Sequence, residues 1–266
     1  MPNRLDPIIL QKQHEVKALY QRIEENPLHP LAQLHRNEIT HFPKSSLKNA
    51  LKQEKVSVIA EIKRKSPSKG DLAPIADPIT LAKRYLNGGA SALSILTDTH
   101  FFGGNLGDLK TVAAHCNHSI PILRKDFIID PIQIAESALA GADAILAIVA
   151  VLDNRTKFIL NAAKALGTEV LVEVHNKQEL EIALDSGAEM IGVNNRNLKA
   201  FEVNTNLAFE LIQHIPKNIV KVAASGISNP ELAIQYCQAG FDAVLIGESL
   251  VRSENPESFI RACYEK

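Results

Sequence analysis

Residues 56–70 read Val-Ser-Val-Ile-Ala-Glu-Ile-Lys-Arg-Lys-Ser-Pro-Ser-Lys-Gly, an apolar run that ends in charges and a basic turn. The β-branched residues of 56–62 predict a buried strand. Because side chains alternate between the two faces of a strand, Glu61 and Lys63 share one face. Ionised groups are rare on a buried strand unless they are paired or used. The stretch therefore predicts one wall of a site, followed at 66–70 by a candidate lid.

The same apolar pattern recurs along the rest of the chain. Besides 56–62, the stretches that predict strands are 91–97, 120–125, 143–149, 169–174, 190–194, 219–224 and 242–246. Helices are predicted between them, since capping residues precede the amphipathic segments. These caps are Asp77, Asp130 and Asn229, each followed by proline, together with Asp153 and Asn176. Strands and helices therefore alternate with little interruption after residue 55.

This alternation predicts an α/β protein in which helices cover a parallel sheet. Segments that begin with Gly89, Gly141, Gly187 and Gly240 lead into every second predicted strand, as though one βαβα unit had been repeated. Eight such units account for the whole chain after residue 55, which favours a single closed (β/α)8 TIM barrel. An open doubly wound sheet is the alternative, but no dinucleotide-binding GxGxxG follows any predicted strand.

The first 50 residues lie outside this repeat. Residues 14–25 have the pattern of a helix, and Pro27, Pro30 and Pro43 interrupt the chain between this helix and the first predicted strand. The segment is too short and too weakly apolar to build a core of its own. We predict that residues 1–50 form an N-terminal helical extension packed on a catalytic barrel of residues 51–266.

Composition and charge exclude several classes of function. The chain of 266 residues has a formal net charge of -1, which gives no electrostatic reason to expect a nucleic acid or an anionic membrane as partner. No apolar run approaches the ~20 residues of a membrane span, and the N-terminus lacks the apolar core of a signal peptide. Cysteines without CxxC spacing predict reduced thiols in a cytoplasmic protein. Histidines at HxH or HxxxH spacing are absent, which argues against a metal site.

In a barrel of this kind, the active site forms at the carboxyl ends of the strands. The charged and polar residues found there are Glu61, Lys63, Ser66, Lys125, Glu173, Asn194, Arg196, Ser225 and Glu248. Taken alone, Glu61 with Lys63 or Glu173 with Lys125 would fit a buried ion pair that only closes the barrel. Their coincidence at one end of the barrel favours a catalytic site. The fourth strand ends in apolar residues and is interpreted as structural.

Two further features indicate the kind of substrate. Glycine turns at Gly226 and Gly247 end the last two strands, where the backbone N–H groups of barrels often bind phosphate. Phe101, Phe102 and Phe127 offer apolar contact to a flat organic group. The nearby lysines and carboxylates suit proton transfer. These residues predict a small phosphorylated substrate with an aromatic or other apolar end.

Taken in order, the strand ends resemble the motifs of one enzyme family. The most specific is Ile-Ala-Glu-Ile-Lys-Arg-Lys-Ser-Pro-Ser at 59–68. The others are Leu-Thr-Asp at 96–98 with Phe102 and Gly104, Leu-Arg-Lys-Asp-Phe at 123–127, Leu-Val-Glu-Val at 171–174, Gly-Val-Asn-Asn-Arg-Asn-Leu at 192–198 and Ser-Gly-Ile at 225–227. Through these segments nearly the whole chain resembles the indole-3-glycerol phosphate synthase family. A helical N-terminal extension is also a family trait.

The resemblance implies a lyase of tryptophan biosynthesis that closes the indole ring without a metal or an organic cofactor. It implies that Lys125 is the general acid at the substrate ketone and that Lys63 holds the leaving carboxylate. Glu61 and Glu173 are the candidate bases, and the sequence does not decide between them. The expected substrate-binding residues are Ser66, Phe102, Phe127, Asn194, Arg196 and Ser225, and the expected phosphate-binding residues are Gly226, Gly247 and Glu248. A monomer or weak homo-oligomer in the cytoplasm is expected.

Two positions depart from the family pattern. Ala224 stands where a glutamate usually precedes the Ser-Gly of the seventh strand, and Glu248 stands where a small hydroxyl residue is common. We expect activity to survive the first departure. At the second, phosphate must bind the backbone N–H while the acid points away.

Two other kinds of barrel compete with this interpretation. Phosphoribosylanthranilate isomerase and the tryptophan synthase α subunit also bind phosphate, but they lack the Glu-x-Lys pair and the long extension. A barrel that only binds a phosphometabolite is disfavoured by the intact acid and base candidates.

Overall fold

The structure is a computed structural model that describes residues 5–39, 45–66, 70–117, 119–198 and 202–264. Within these ranges, eight parallel strands form a closed barrel. In chain order they are β1 (Ser57–Ile62), β2 (Ala92–Leu96), β3 (Ile122–Lys125), β4 (Ala144–Ile148), β5 (Glu169–Val174), β6 (Met190–Asn194), β7 (Val220–Ala224) and β8 (Ala243–Ile246). Strand β1 pairs with both β2 and β8, which closes the ring. The predicted (β/α)8 TIM barrel is confirmed, and the open sheet is wrong.

Helices precede and surround the barrel. Those before β1 are α1 (Leu5–Glu25), α2 (Pro30–His35) and α3 (Leu47–Leu51). Those after it are α4 (Pro78–Asn87), α5 (Leu106–Cys116), α6 (Pro131–Leu139), α7 (Val149–Leu152), α8 (Thr156–Ala165), α9 (Lys177–Asp185), α10 (Asn206–Leu211), α11 (Pro230–Gln238), α12 (Glu248–Arg252) and α13 (Pro256–Ala262). Short 3-10 helices lie at Asp153–Arg155 and Ile212–His214. Across the part of the chain that the structure describes, no helix has the length and apolar character that a bilayer-crossing segment requires.

Capping residues begin several helices as predicted. The side chains of Asp77, Asp130 and Asn229 accept backbone N–H groups of the first turn, each before a proline at the start of the helix. Asn176 caps α9 in the same way. The predicted cap Asp153 is wrong, because it ends α7 with a φ of 47° and no side chain caps α8. The chain needs a positive φ between these helices, and aspartate tolerates one better than most residues.

Alternation along the strands separates two apolar clusters. On β1, Ile59 lies inside the barrel, whereas Ala60 and Ile62 pack outward against the helices. Leu123 on β3 and Leu171 on β5 also lie inside. Because alternate residues share a face, the next inward positions toward the carboxyl ends are those of Glu61, Lys125 and Glu173. The pleat of the strands therefore brings the predicted charges into one space.

Helix α1 spans Leu5–Glu25, so it begins nine residues before the predicted 14–25. Its buried residues Leu5, Ile8, Lys12 and Leu19 recur at helical spacing. A lysine in this apolar stripe hides the periodicity, which explains why the sequence pattern places the start of the helix too late.

Helix α3 packs at the amino ends of the strands. The Ser46 hydroxyl donates to Glu169 at the start of β5 at 2.7 Å, and the Lys48 backbone N–H donates to the same carboxylate at 3.0 Å. Helix α1 instead reaches the loops at the carboxyl ends, where Lys12 contacts Asp98 and Asp126. The N-terminal helices therefore contact both ends of the barrel.

The turn after β1 forms a small antiparallel hairpin of Lys65–Ser66 with Gly70–Asp71. The Lys65 backbone N–H donates to Phe102 O at 3.2 Å, which places the hairpin against the loop after β2. Residues 67–69, the middle of the candidate lid, lie outside the described residues.

Candidate active site

A cavity of about 460 Å³ opens at the carboxyl ends of the strands. The residues that the sequence assigns to a site all line it: Glu61, Lys63, Ser66, Phe102, Lys125, Phe127, Glu173, Asn194, Arg196, Ser225, Gly226, Gly247 and Glu248. Strand β4 adds Ile148 to the lining, so its apolar end is also a wall of the cavity. The structure brings the predicted residues together, while their roles stay predictions.

Glu61 of β1 and Lys63, directly after the strand, form an ion pair in the wall of the cavity, with Lys63 Nζ 2.6 Å from Glu61 Oε1. The Glu61 side chain is 3% exposed and that of Lys63 is 17% exposed. Gly247 faces this pair from the end of β8, because a Cβ there would collide with Glu61 Oε1 and lie 3.1 Å from Lys63 Nζ. The glycine therefore lets the last strand approach the charged pair.

A second ion pair joins β3 to β5, with Lys125 Nζ 3.5 Å from Glu173 Oε2. Burial raises the pKa of Glu173, but the charge of Lys125 and the neighbouring side chains of His175 and Asn194 outweigh burial and hold the pKa at about 2. The Asn194 side-chain oxygen accepts the Arg196 backbone N–H at 3.0 Å. Glu173 is therefore ionised at neutral pH.

The loop after β7 presents both a side chain and backbone to the cavity. Ser225 and Gly226 have φ values of 66° and 79°. A Cβ at Gly226 would lie 2.7 Å from Val203 Cγ1, so glycine is required for space as well as for φ. The buried Asn195 side chain donates to Ser225 O at 3.1 Å and accepts from Ala208 N at 3.1 Å. These contacts hold the loop in its left-handed conformation.

The loop after β8 is bonded to the loop after β7, since the Ser249 hydroxyl donates to Ile227 O at 2.6 Å. Helix α12 begins directly after Gly247, and no side chain caps it. The carboxylate of Glu248 lies 3.9 Å from Arg196 Nη2 and 3.6 Å from Arg252 Nε. The acid is therefore turned toward two arginines whose charges offset its own.

Two phenylalanines form an apolar wall of the cavity. The ring centroids of Phe102 and Phe127 lie 5.9 Å apart, with the rings tilted by 40°. Phe101, the third predicted ring, packs on the apolar cluster inside the barrel and is not among the described residues that line the cavity. The Asp98 carboxylate accepts the backbone N–H groups of Phe101 and Phe102 at 2.8 and 3.1 Å, which orders this loop.

Lys12 is a buried residue near the site that the sequence pattern did not reveal. Its Nζ lies 2.9 Å from Asp98 Oδ2 and 2.8 Å from Asp126 Oδ1. Burial lowers the pKa of Lys12, but the two carboxylates outweigh burial and raise the pKa above its usual value. Asp126 directly follows Lys125, so helix α1 is bonded to the neighbour of the candidate acid. The sequence does contain a signal for it, because Lys12 stands at helical spacing with the apolar residues Leu5, Ile8 and Leu19, which indicates a buried lysine.

His175 is a second residue that the sequence pattern did not reveal. The ring lies next to Glu173 and is 8% exposed. It follows Glu173 by two positions, the spacing that keeps residues of an extended strand on one face. Glu179 follows it by four positions and contacts it from α9. These two spacings are the sequence signal that places His175 next to Glu173 and Glu179.

Comparison with known proteins finds relatives over most of the chain. The family model described as indole-3-glycerol phosphate synthase matches residues 5–263. The indole-3-glycerol phosphate synthase of Parafrankia sp. (strain EAN1pec) is 43% identical over 97% of this chain and 90% of its own length. That of Thermoanaerobacter pseudethanolicus is 42% identical over 93% of this chain and 92% of its own. That of Streptomyces griseus subsp. griseus is 49% identical over 79% of this chain and 78% of its own.

Solved structures share the barrel at lower sequence identity. The 3-hexulose-6-phosphate synthase from Salmonella typhimurium has a TM-score of 0.64 at 16% identity, covering 79% of this chain and 97% of its own. The thiamine phosphate pyrophosphorylase from Pyrococcus furiosus has a TM-score of 0.60 at 16% identity, covering 82% of this chain and 96% of its own. At this identity the likeness concerns the fold alone.

Proposed function

The chain belongs to the indole-3-glycerol phosphate synthase family, and we propose how its paired lysines and carboxylates close the indole ring. The protein is a lyase of tryptophan biosynthesis. It converts 1-(2-carboxyphenylamino)-1-deoxyribulose 5-phosphate to indole-3-glycerol phosphate with loss of carbon dioxide and water. The observation that carries the proposed mechanism is that two lysine–glutamate pairs, Lys63–Glu61 and Lys125–Glu173, line one cavity.

Lys125 is the proposed general acid of ring closure. The aromatic carbon that bears the carboxylate attacks the substrate ketone, and the ketone oxygen takes a proton from the Lys125 ammonium. At 3.5 Å from Glu173, this ammonium is held near its partner without a tight hydrogen bond. It therefore keeps N–H groups for the substrate oxygen, as a general acid requires.

Lys63 is the proposed partner of the carboxylate that leaves. Its ammonium is fixed against the wall of the cavity by Glu61 at 2.6 Å and remains partly exposed. When the bond to the carboxylate carbon breaks, its electron pair stays with the ring and restores aromaticity. In the subsequent dehydration, Lys63 is the candidate acid that protonates the departing hydroxyl.

Glu173 is the proposed base that takes the final proton, from the carbon that becomes position 2 of the indole. In the resting site it is a weak base, since Lys125 and His175 overcome the effect of burial and hold its pKa at about 2. Once Lys125 has protonated the ketone, that positive charge is gone and the basicity of Glu173 rises. Glu61, in contrast, already accepts Lys63 at 2.6 Å, which suits it to positioning that lysine.

The rest of the substrate fits the remaining walls of the cavity. Backbone N–H groups at Gly226, Gly247 and Glu248 are proposed to bind the phosphate, with Arg196 nearby as a positive charge. Phe102 and Phe127 are proposed to contact the benzene ring. The polar side chains proposed to orient the sugar carbons and the amine are Ser66, Asn194 and Ser225. Ala224 lines the cavity with a methyl group, so no acid at this position enters the mechanism.

Steady-state kinetics with the carboxyphenylamino substrate tests the assignment. Lys125→Met is expected to lower kcat by about 10²–10⁴-fold with a smaller effect on KM, as removal of a general acid does. Glu173→Gln is expected to lower kcat similarly, and Lys63→Met to raise KM as well. The control is Lys110→Met on α5, which alters an exposed lysine and should keep wild-type constants.

Two outcomes would contradict the proposal. Unchanged turnover by Lys125→Met would show that Lys125 is not the general acid. No turnover by the wild type, together with tight binding of the substrate, would favour the barrel that only binds a phosphometabolite.

We also propose that the protein works in the cytoplasm as a monomer or weak homo-oligomer, with residues 1–50 as an extension of the catalytic barrel of 51–266. The cysteines Cys116, Cys237 and Cys263 are free thiols, which fits a reducing compartment. Sedimentation velocity at two protein concentrations checks the assembly. A dimer that persists on dilution would contradict a monomer or weak oligomer.

A further inference from the structure

We propose that His175 is a positioning residue for ring closure: wedged between Glu173 and Glu179, the imidazolium holds the Glu173 carboxylate ionised and aimed at Lys125. The inference rests on the proposed role of Glu173 as a base.

The geometry around the ring is the first support. His175 Nε2 lies 3.4 Å from Glu173 Oε1, and His175 Nδ1 lies 2.9 Å from Glu179 Oε2. The His175 backbone N–H donates to the same Glu179 oxygen at 2.8 Å. Asn176 in turn donates to the other Glu179 oxygen at 2.8 Å. The ring therefore lies between the carboxylate of Glu173 on β5 and that of Glu179 in the first turn of α9.

The charges on both sides of the ring favour its protonated form. His175 Nδ1 is hydrogen-bonded to Glu179 Oε2, whereas the 3.4 Å contact of Nε2 with Glu173 Oε1 is an ion pair that lacks hydrogen-bond geometry. Two ionised carboxylates next to one imidazole favour the imidazolium. Burial lowers the pKa of His175, but the carboxylates of Glu173 and Glu179 outweigh burial and raise the pKa to about 9.

The other elements that pack around the ring do not supply a competing charge. Helix α7, Val149–Leu152, packs against both β5 and α9 and is wholly apolar. The 3-10 turn Asp153–Arg155 packs on α9, but its charged side chains are exposed. Helix α8 packs on both β5 and α9, and its lysines Lys157 and Lys164 are exposed as well. Strand β6 contributes Asn194, a neutral side chain next to Glu173. Among the described residues of these elements, Glu173 and Glu179 are therefore the charges that face the ring.

The two oxygens of Glu173 therefore have different cationic neighbours. Oε2 faces Lys125 at 3.5 Å, and Oε1 faces His175 at 3.4 Å. In the proposed mechanism Lys125 loses its charge when it protonates the ketone, whereas His175 keeps its charge. A cation then remains beside Glu173 through the decarboxylation, so the carboxylate stays ionised until it takes the final proton. The imidazolium also fixes which oxygen points into the cavity.

The test is the pH dependence of kcat for His175→Gln, which retains a neutral amide donor. We expect kcat to fall about tenfold with a less than threefold change in KM, and the acidic limb of the profile to move about one pH unit upward. The limb moves upward because Glu173 loses a positive neighbour and is protonated more easily. His115→Gln, which alters an exposed histidine of α5, is the control and should keep the wild-type profile.

A uniform fall in kcat with an unmoved acidic limb would overturn the inference, because a purely structural defect acts equally at all pH values. If His175→Gln does not fold, NMR of the wild type with labelled histidine gives the answer. The His175 ring, identified by its through-space contacts with Glu179, should remain protonated up to about pH 8, in line with its pKa of about 9. A ring that is neutral at pH 7.5 would overturn the inference.

Failure of this inference is distinguishable from failure of the proposed function. Wild-type activity in Glu173→Gln would show that Glu173 is not the base, which contradicts the proposed function. A loss of activity in Glu173→Gln together with an unshifted pH profile in His175→Gln would contradict only the role proposed for His175.

Discussion

Lys12 Nζ lies 2.8 Å from Asp126 Oδ1, so a lysine of the N-terminal helix is bonded to the residue directly after Lys125. The same ammonium contacts Asp98 at 2.9 Å and Glu15 at 2.8 Å, and its side chain is 1% exposed. Asp98 orders the loop that carries Phe102. The N-terminal helix is therefore bonded to two loops that line the cavity.

Lys12→Met is expected to destabilise the protein by about 3–5 kcal/mol, because removing one partner leaves buried carboxylates without their charge. Lys48→Met, which breaks a more exposed pair with Glu189, should cost about 0–1 kcal/mol. Urea unfolding of both variants measures the difference. Equal midpoints for the two variants would show that the buried lysine contributes no more than a surface ion pair.

Acid is expected to destabilise the protein partly through Asp126. Burial raises its pKa, but Arg124 and Lys12 outweigh burial and hold the pKa at about 2. The folded pKa lies below the unfolded value of about 3.9, so this contribution is present above about pH 4 and is lost as the pH falls toward 2. In Asp126→Asn, the free energy of unfolding should therefore fall by about 2–3 kcal/mol less than in the wild type over this pH range. Urea unfolding midpoints measured from pH 5 to 2 test this, with Asp71→Asn at an exposed position as the control. If the midpoints of the two variants fell equally with pH, Asp126 would not be a source of the acid destabilisation.

Gly247→Ala is expected to impair catalysis more than folding. The added Cβ would meet the far end of the Glu61 side chain rather than backbone, so the Glu61–Lys63 pair must shift. A displacement of about 1 Å in a catalytic group costs about 10²-fold in rate. Gly192→Ala on β6 is the matched control, since its Cβ would meet Leu171 at an ordinary 3.5 Å. Kinetics and thermal unfolding measure both; an active Gly247→Ala enzyme would mean that the pair adjusts without consequence.

Alkali is expected to destabilise the protein through His175. Its folded pKa of about 9 lies above the unfolded value of about 6.5. The contribution is therefore fully present below about pH 6.5 and is lost as the pH rises through 9. His175→Asn should flatten the dependence of stability on pH between these values, whereas His115→Asn should not. Thermal unfolding from pH 6 to 10 measures it, and parallel curves for wild type and His175→Asn would contradict the expectation.

Phe102→Ala is expected to raise KM about tenfold, since burial of an aromatic contact contributes about 1.5–3 kcal/mol. Phe158→Ala removes a ring on α8 that is 54% exposed and should leave KM unchanged. Steady-state kinetics compares the two variants. An unchanged KM in Phe102→Ala would place the benzene ring elsewhere in the cavity.

Local patterns predicted the barrel because each strand and helix carries its own signal. The run 169–174 is predicted to the residue, and 190–194 likewise. Because side chains alternate between the faces of a strand, the sequence alone also predicts that Glu61 and Lys63 share a face. The start of α1 was misplaced because Lys12 occupies a buried position, and only its distant partners make that burial favourable.

The sequence by itself determined the alternation of strands and helices, the face on which each charge lies and the family motifs, since these depend on residues near one another along the chain. Only the tertiary structure decided which charges meet. Lys125 reaches Glu173 from another strand, and Lys12 reaches Asp126 across more than a hundred residues of chain. His175 needed the turn into α9 to bring Glu179 against it. Pairing of buried charges depends on distances of a few ångströms between elements, and closure of the barrel sets those distances.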